Sequence, residues 1–327
     1  MVFQIPAAIR VNLFIRDLYL FQLLSVLSFS SVILFIPAAI RVILFIRDLY
    51  LFPCSTFTEI NFMTILVPTD FSDNARNAAN YAAQLAKKIN ASLVLLHAYM
   101  LPAPVSEVPY MMVNVDEIQK DNERIAKEES EKLQSHGIRC TYLVRLGFPS
   151  DEIDAAIEDQ PIDLVVMGMR GKGTLEKWMG STTTSTIKKI TKPILVVPED
   201  ATYHDLQNVT YATDFTYSVA FNIYDPLLNL LKLFNAQLHI VHVSKDESKG
   251  QGSLDPAFKA VPHEFHIIED TDVRHGIESY LETHPTDLLV MVTHEHSFME
   301  RLFRKTHTTA MVYNTHVPLL VLKDRKA

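Results

Sequence analysis

Four of the nine glycines in this 327-residue chain fall within one stretch, GMRGKGTLEKWMGSTTTS at Gly168–Ser185. Glycine serves where the main chain takes positive φ or must come close to something else. Gly168, Gly171 and Gly173 let the backbone curl into a concave array of N–H donors, and Gly180-Ser181-Thr182 opens a helix whose free amides and dipole favour an anion. Phosphate suits that chemistry; a flexible loop with a glycine helix start is the plainer alternative. Lys172 is either an ammonium in reach of a terminal phosphate or a solvated loop lysine. Other phosphate loops fit badly, since G-x-x-x-x-G-K-[ST] is absent and Gly171-Lys172-Gly173 lacks the third glycine of a dinucleotide fingerprint.

Such a loop needs strands and helices to hold it. TILVPTD at Thr64–Asp70 predicts a buried strand, Ser72–Asn90 a capped helix, and SLVLLHAY at Ser92–Tyr99 the next strand. A charged helix over Asp116–His136 leads to a strand at Ile138–Arg145, a turn and helix from Gly147, and short apolar strands at Asp163–Met167 and Ile194–Val197. Strands alternating with helices imply a doubly wound parallel sheet, whose ligands sit beyond the carboxyl ends of the strands at the point where strand order reverses. Gly168 ends one such strand, and Asp70 ends another. A carboxylate there either meets a ligand or caps the next helix.

The unit then repeats. NVTYATDFTYSVA at Asn208–Ala220 echoes MTILVPTDFSDNA, with Asp214 answering Asp70, His242 answering His97 and DLLVMV at Asp287–Val292 answering DLVVMG. The spacing between matched positions falls from 144 residues at Asp70/Asp214 to 124 at Asp163/Asp287, so the second copy is shorter in its middle. Two α/β domains are expected, 63–199 and 200–327. Where the first reads GMRGKGTLEKWMGSTTTS, the second reads VTHEHSFMERLFRKTHTTA at Val292–Ala310, without a glycine. Side chains with a Cβ resist the left-handed backbone of an anion nest. One functional site per chain is therefore expected, in the first domain, with Asp214 a structural echo.

Residues 1–62 differ in kind, containing no Gly, Lys or His, and IPAAIRVNLFIRDLYLF at Ile5–Phe21 returns almost unchanged at Ile36–Phe52. Leu18–Ile40 carries no charge over 23 residues, enough to span a bilayer as an anchor to an inner membrane. Against that, its charged flanks are copies of each other and set no orientation. The alternatives are a translated upstream repeat, with Met63 as the start, and a secretory signal, which the long apolar run fits poorly.

A net charge of −8 and a pI near 5.9 argue against nucleic acid as a partner. Two cysteines, Cys54 and Cys140, are too few for a disulfide framework and point to a reducing, cytoplasmic setting.

The glycine loop resembles the G-x2-G-x9-G-[ST] signature of the universal stress protein family, in its ATP-binding branch. VPTDFS, LLHAY, GFPSDEI and KPILVVP resemble further family positions in their expected order, over Met63 to about Lys323. Here eight residues, Lys172–Met179, separate Gly171 from Gly180 where the signature has nine. The shorter loop either tightens without loss or weakens the hold on phosphate. The resemblance implies two Rossmann-like, adenine nucleotide alpha hydrolase-like domains in tandem, paired through their last strands as an internal pseudo-dimer that could itself form a homodimer. It also implies a stress-response protein that binds ATP, with Mg2+ a further candidate, without catalysing a reaction. Asp70 would contact the adenosine, Pro68 and Thr69 would shape its wall, Ala98 would offer backbone to the base and Met167 an apolar surface. Gly168, Gly171, Gly180, Ser181 and Thr182 would hold ribose and phosphates. Slow Mg-dependent ATP hydrolysis is the competing activity, although no residue is placed by motif to activate an attacking group. A membrane-tethered sensor is a third class and depends on residues 1–62.

Other residues invite plainer explanations. The second domain holds eleven of the thirteen histidines, among them His294 and His296, but no third ligand for a metal is named beside that pair, and surface or loop roles are expected. His97 and His242 are expected to be hydrogen-bonded core positions, Cys140 a buried thiol and Trp178 a packing residue. Tyr99–Val115, rich in Met and Pro, is a solvated connector, a lid or a contact surface.

Overall fold

The structure is a computed structural model that describes residues 63–101, 114–169, 180–213, 221–244, 256–293 and 316–324. The repeat segment 1–62, the loop 170–179, Trp178, Asp214, His294 and His296 all lie outside the described residues, as does most of Tyr99–Val115.

In the front half, strand β1 (Thr64–Pro68) is followed by helix α1 (Asp73–Ile89), β2 (Ser92–Tyr99), α2 (Val115–Ser135), β3 (Cys140–Leu146), α3 (Pro149–Asp159), β4 (Leu164–Met169), α4 (Gly180–Lys189) and β5 (Ile194–Pro198). The back half runs β6 (Asn208–Thr213), a 3-10 turn at Phe221–Tyr224, α5 (Asp225–Phe234), β7 (Gln237–Ser244), a second 3-10 turn at Pro256–Ala260, β8 (His263–Glu269), α6 (Val273–Thr283), β9 (Leu288–Thr293) and β10 (Leu319–Lys323).

The ten strands among the described residues join one sheet in the order β3-β2-β1-β4-β5-β10-β9-β6-β7-β8. Within each half every pairing is parallel. The halves meet through their last strands, with β10 antiparallel to β5 from Leu319 opposite Val196 to Val321 opposite Ile194. Such a seam is the internal pairing that the resemblance implies. Helices cover both faces: α1, α2 and α5 pack over one apolar cluster, α3, α4 and α6 over the other, and both clusters continue across the seam.

Helix α1 is specified locally. Ser72 caps it by accepting from the Ala75 N–H at 3.3 Å, Lys87 and Lys88 sit in the last turn, and Asn90 closes it in the left-handed conformation at φ 55°. Its buried face is mostly alanine, at Ala75, Ala78, Ala79, Ala82, Ala83 and Ala86, so the helix lies close to the sheet. Asn77 then donates to the Pro198 and Ala201 carbonyls at 3.0 and 3.1 Å, tying α1 to the chain that leaves β5.

Candidate functional site

Strand order in the front half reverses between β1 and β4, which places Pro68, Thr69 and Asp70 on one lip of a crevice and Met167 and Gly168 on the other. The ladder between these strands ends early. Its last pair is Leu66 with Val165, although β1 runs on to Pro68 and β4 to Met169. In the back half the matching strands β6 and β9 remain paired two residues further, through Tyr211 with Val290 to Ala212 with Met291.

Proline accounts for the difference. The Thr69 N–H donates to the Leu96 carbonyl on β2 at 2.8 Å. Successive N–H groups of a strand point to opposite sides, so position 68 faces β4, and Pro68 has no N–H to give. The repeat spacing puts Ala212 at the matching position, and alanine can donate.

Beyond Pro68 a tight turn fixes the lip. Thr69 Oγ1 accepts from the Phe71 N–H at 3.0 Å, and Asp70 Oδ1 accepts from the Ser72 N–H at 3.0 Å. Phe71 takes φ 60°, a left-handed value that costs a bulky residue roughly 1–2 kcal/mol and persists where the surroundings over-determine it. Here they do: the Phe71 ring stacks on His97 with centroids 4.4 Å apart, and His97 Nδ1 is bonded to the Thr69 carbonyl at 2.8 Å. In the back half His242 Nδ1 meets the Thr213 carbonyl at 2.9 Å, so both repeated histidines are hydrogen-bonded as expected, His242 buried and His97 half-buried. Asp70 thus both helps to set the helix start and stands exposed at the lip.

Gly168 has a reason that differs from the expected one. A Cβ there would lie 2.6 Å from the carbonyl oxygen of Asn74 and 3.3 Å from the nitrogen of Ala75, in the first turn of α1. The glycine admits the helix against β4, a packing demand that stands beside any part it has in an anion nest. Met167 is 4% exposed, and its side chain belongs to the core, so it does not offer the expected apolar surface. Ala98 is half-buried near the end of β2. Gly180, Ser181 and Thr182 form the first turn of α4, with Thr182 half-buried and its carbonyl accepting from Thr186 Oγ1 at 2.8 Å. Gly171 and Lys172 lie outside the described residues. A cleft of about 350 Å³ between α1 and α2 reaches this region only through Thr69, and its wall holds the mutually paired Arg76, Glu129 and Lys132. It is a helix–helix groove rather than part of the crevice.

Comparison with known proteins gives the same pattern a lineage. A model of the universal stress protein family matches residues 61–198. A universal stress protein of Thermus aquaticus is 31% identical over 138 residues, spanning 42% of this chain and 98% of the relative. The chain belongs to the universal stress protein family. A universal stress protein of Synechocystis is 26% identical over 289 residues, covering 79% of this chain and 99% of its own, so the likeness to this member of the family extends across both halves. The crystal structure of an Archaeoglobus fulgidus universal stress protein shares the fold at a TM-score of 0.64 and 20% identity, covering 80% of this universal stress protein and 98% of that chain.

Elsewhere in the protein, Cys140 is a buried free thiol whose pKa is raised, chiefly by burial. No helix among the described residues is long and apolar enough to cross a membrane. One group missed by the sequence reading is His239, Glu264 and His266, whose ligand atoms converge in the back half. Its only sequence sign is the E-x-H spacing of Glu264 and His266, which puts both on one face of a strand.

Proposed function

We propose that this universal stress protein binds one adenine nucleotide, ATP, in the front crevice and acts as a regulatory module without turning the nucleotide over. The observation that carries this is the early end of the β1–β4 ladder at the switch point: its last pair is Leu66 with Val165, while β6 and β9 stay paired to Ala212 and Met291. A doubly wound sheet takes its ligand at this switch point, where main-chain groups left out of the ladder can meet one. In this reading Asp70 supplies a carboxylate for ribose or base, and Ala98, Met167 and Gly168, near the carboxyl ends of β2 and β4, would line the nucleotide. The first turn of α4 at Gly180–Thr182 offers helix amides to phosphate oxygens, with Gly171 and Lys172 as the loop partners. Mg2+ would come with the nucleotide. The domains 63–199 and 200–327 would then divide the work, the first as binder and the second as its structural mate. A reducing, cytoplasmic setting accords with the buried free thiol of Cys140.

ATP regulates by shifting a conformational equilibrium only as far as its affinity differs between the two states. The test is equilibrium binding of ATP to the full chain, with Asp70→Ala and Gly171→Val beside it, and a turnover assay on the same samples. One site per chain, weakened by both substitutions and without sustained hydrolysis, is the expected result. Two equivalent sites, or hydrolysis abolished by Gly171→Val, would overturn it.

A further inference from the structure

The back half carries a side-chain group for which nucleotide binding has no use. His239 lies on β7, while Glu264 and His266 lie on β8, the outermost strand. Parallel register sets His239 beside Glu264 and Val241 beside His266. Because side chains alternate along a strand, His239, Glu264 and His266 share one face. Their polar atoms converge: His239 Nδ1 is 3.3 Å from His266 Nε2, and Glu264 Oε2 is 3.6 Å from each of those nitrogens. In a triangle with these three sides, the centre is about 2.0 Å from every corner, which matches zinc bonds to nitrogen and oxygen of roughly 2.0–2.2 Å.

The surroundings favour the same use. His239 Nε2 is 3.4 Å from Oδ1 of Asn208, an atom that only accepts. The tautomer that donates from Nε2 to Asn208 leaves the Nδ1 lone pair toward the other two donors, the arrangement in which an outer hydrogen bond orients a metal-binding imidazole. Tyr280 is buried beside the group, its ring 5.1 Å from His266 and its hydroxyl without a hydrogen-bond partner among the described residues.

The fold itself does not require these residues. Since His242 answers His97, His239 answers Val94, which pairs in register with Thr141 just as His239 pairs with Glu264. The same three places in the front half thus hold Val94, Thr141 and Leu143.

We propose that His239, Glu264 and His266 form a site for a divalent transition-metal cation of the zinc type, which clips the edge strand β8 to β7 and keeps a solvent-facing coordination position beside the exposed Glu264. Two imidazoles and one carboxylate are a donor set suited to zinc.

The experiment strips the full chain with chelator, then titrates it with Zn2+ by calorimetry and with Co2+ by visible absorption. Glu264→Gln, an exposed change, and the double variant His239→Ala/His266→Ala are compared with His275→Ala, a histidine outside the group. The Zn2+ bound per chain is expected to fall by one in the double variant. In Glu264→Gln affinity should drop by at least the roughly 10–100-fold that a lost outer partner costs, while His275→Ala behaves as the parent. Circular dichroism checks that each variant is folded. Absence of Zn2+ binding, or equal binding by parent and Glu264→Gln, would overturn the proposal.

Discussion

Replacing Gly168 by alanine tests the claim that this glycine exists to admit α1. The added Cβ would lie 2.6 Å from the Asn74 oxygen, 2.9 Å from its carbon and 3.3 Å from the Ala75 nitrogen. All three are backbone atoms, so no side chain can swing away. Restoring an ordinary contact of 3.4 Å from 2.6 Å requires the start of α1 to retreat by about 0.8 Å, and overpacking of that kind costs about 1–3 kcal/mol. The retreat is opposed by the Ser72 cap and by the Asn77 bonds to Pro198 and Ala201. Urea unfolding of Gly168→Ala should therefore show a lowered midpoint with an unchanged slope, the sign of lost stability rather than an altered unfolded state. Gly137→Ala is the contrasting variant: nothing lies within 4 Å of its Cβ, and the strain comes from φ +81° alone. An unchanged midpoint for Gly168→Ala would refute the packing argument and return this glycine to the anion loop.

Two further outcomes can be stated. Pro68→Ala supplies the missing donor, so the β1–β4 ladder should lengthen, stability should rise by about 0.5–1.5 kcal/mol for the added bond, and ATP affinity should fall. Hydrogen exchange of the new amide reads this directly, and a fast-exchanging amide would count against proline as the wedge. Near α6, His275 is raised above the ordinary histidine range by its bond to Asp270, whose own pKa is lowered first by the Asp272 N–H and then by His275. With the folded histidine pKa above the unfolded value of about 6.5, the pair's stabilisation is complete below that pH and fades as pH rises through the folded pKa. The gap in Tm between parent and Asp270→Asn should shrink over that upper window, and a constant gap would show that the pair is not the cause.

Much of the fold was legible because buried parallel strands read as unbroken apolar runs, as in Thr64–Pro68 and Leu164–Met167, and because α1 carries its own stop and start residues in Ser72 and Asn90. The hydrogen bonding of His97 and His242 was legible too, since the chain repeats them in matching strands. The reason for Gly168 was not, because the helix it admits lies 94 residues earlier and the approach exists only after packing. Pro68 reads as a strand end until the side each N–H faces is known. Likewise, His239 and Glu264 are 25 residues apart, and only the register of β7 against β8 makes them neighbours.

The antiparallel seam has a consequence for how this protein assembles. Cut apart, each half would show a bare strand, Ile194–Pro198 or Leu319–Lys323, and unpaired main-chain groups on such a border recruit any chain that offers a partner. Tethering both borders in one polypeptide makes their meeting intramolecular, so its rate does not depend on how many copies a cell contains. A scarce molecule can then complete its own sheet as surely as an abundant one.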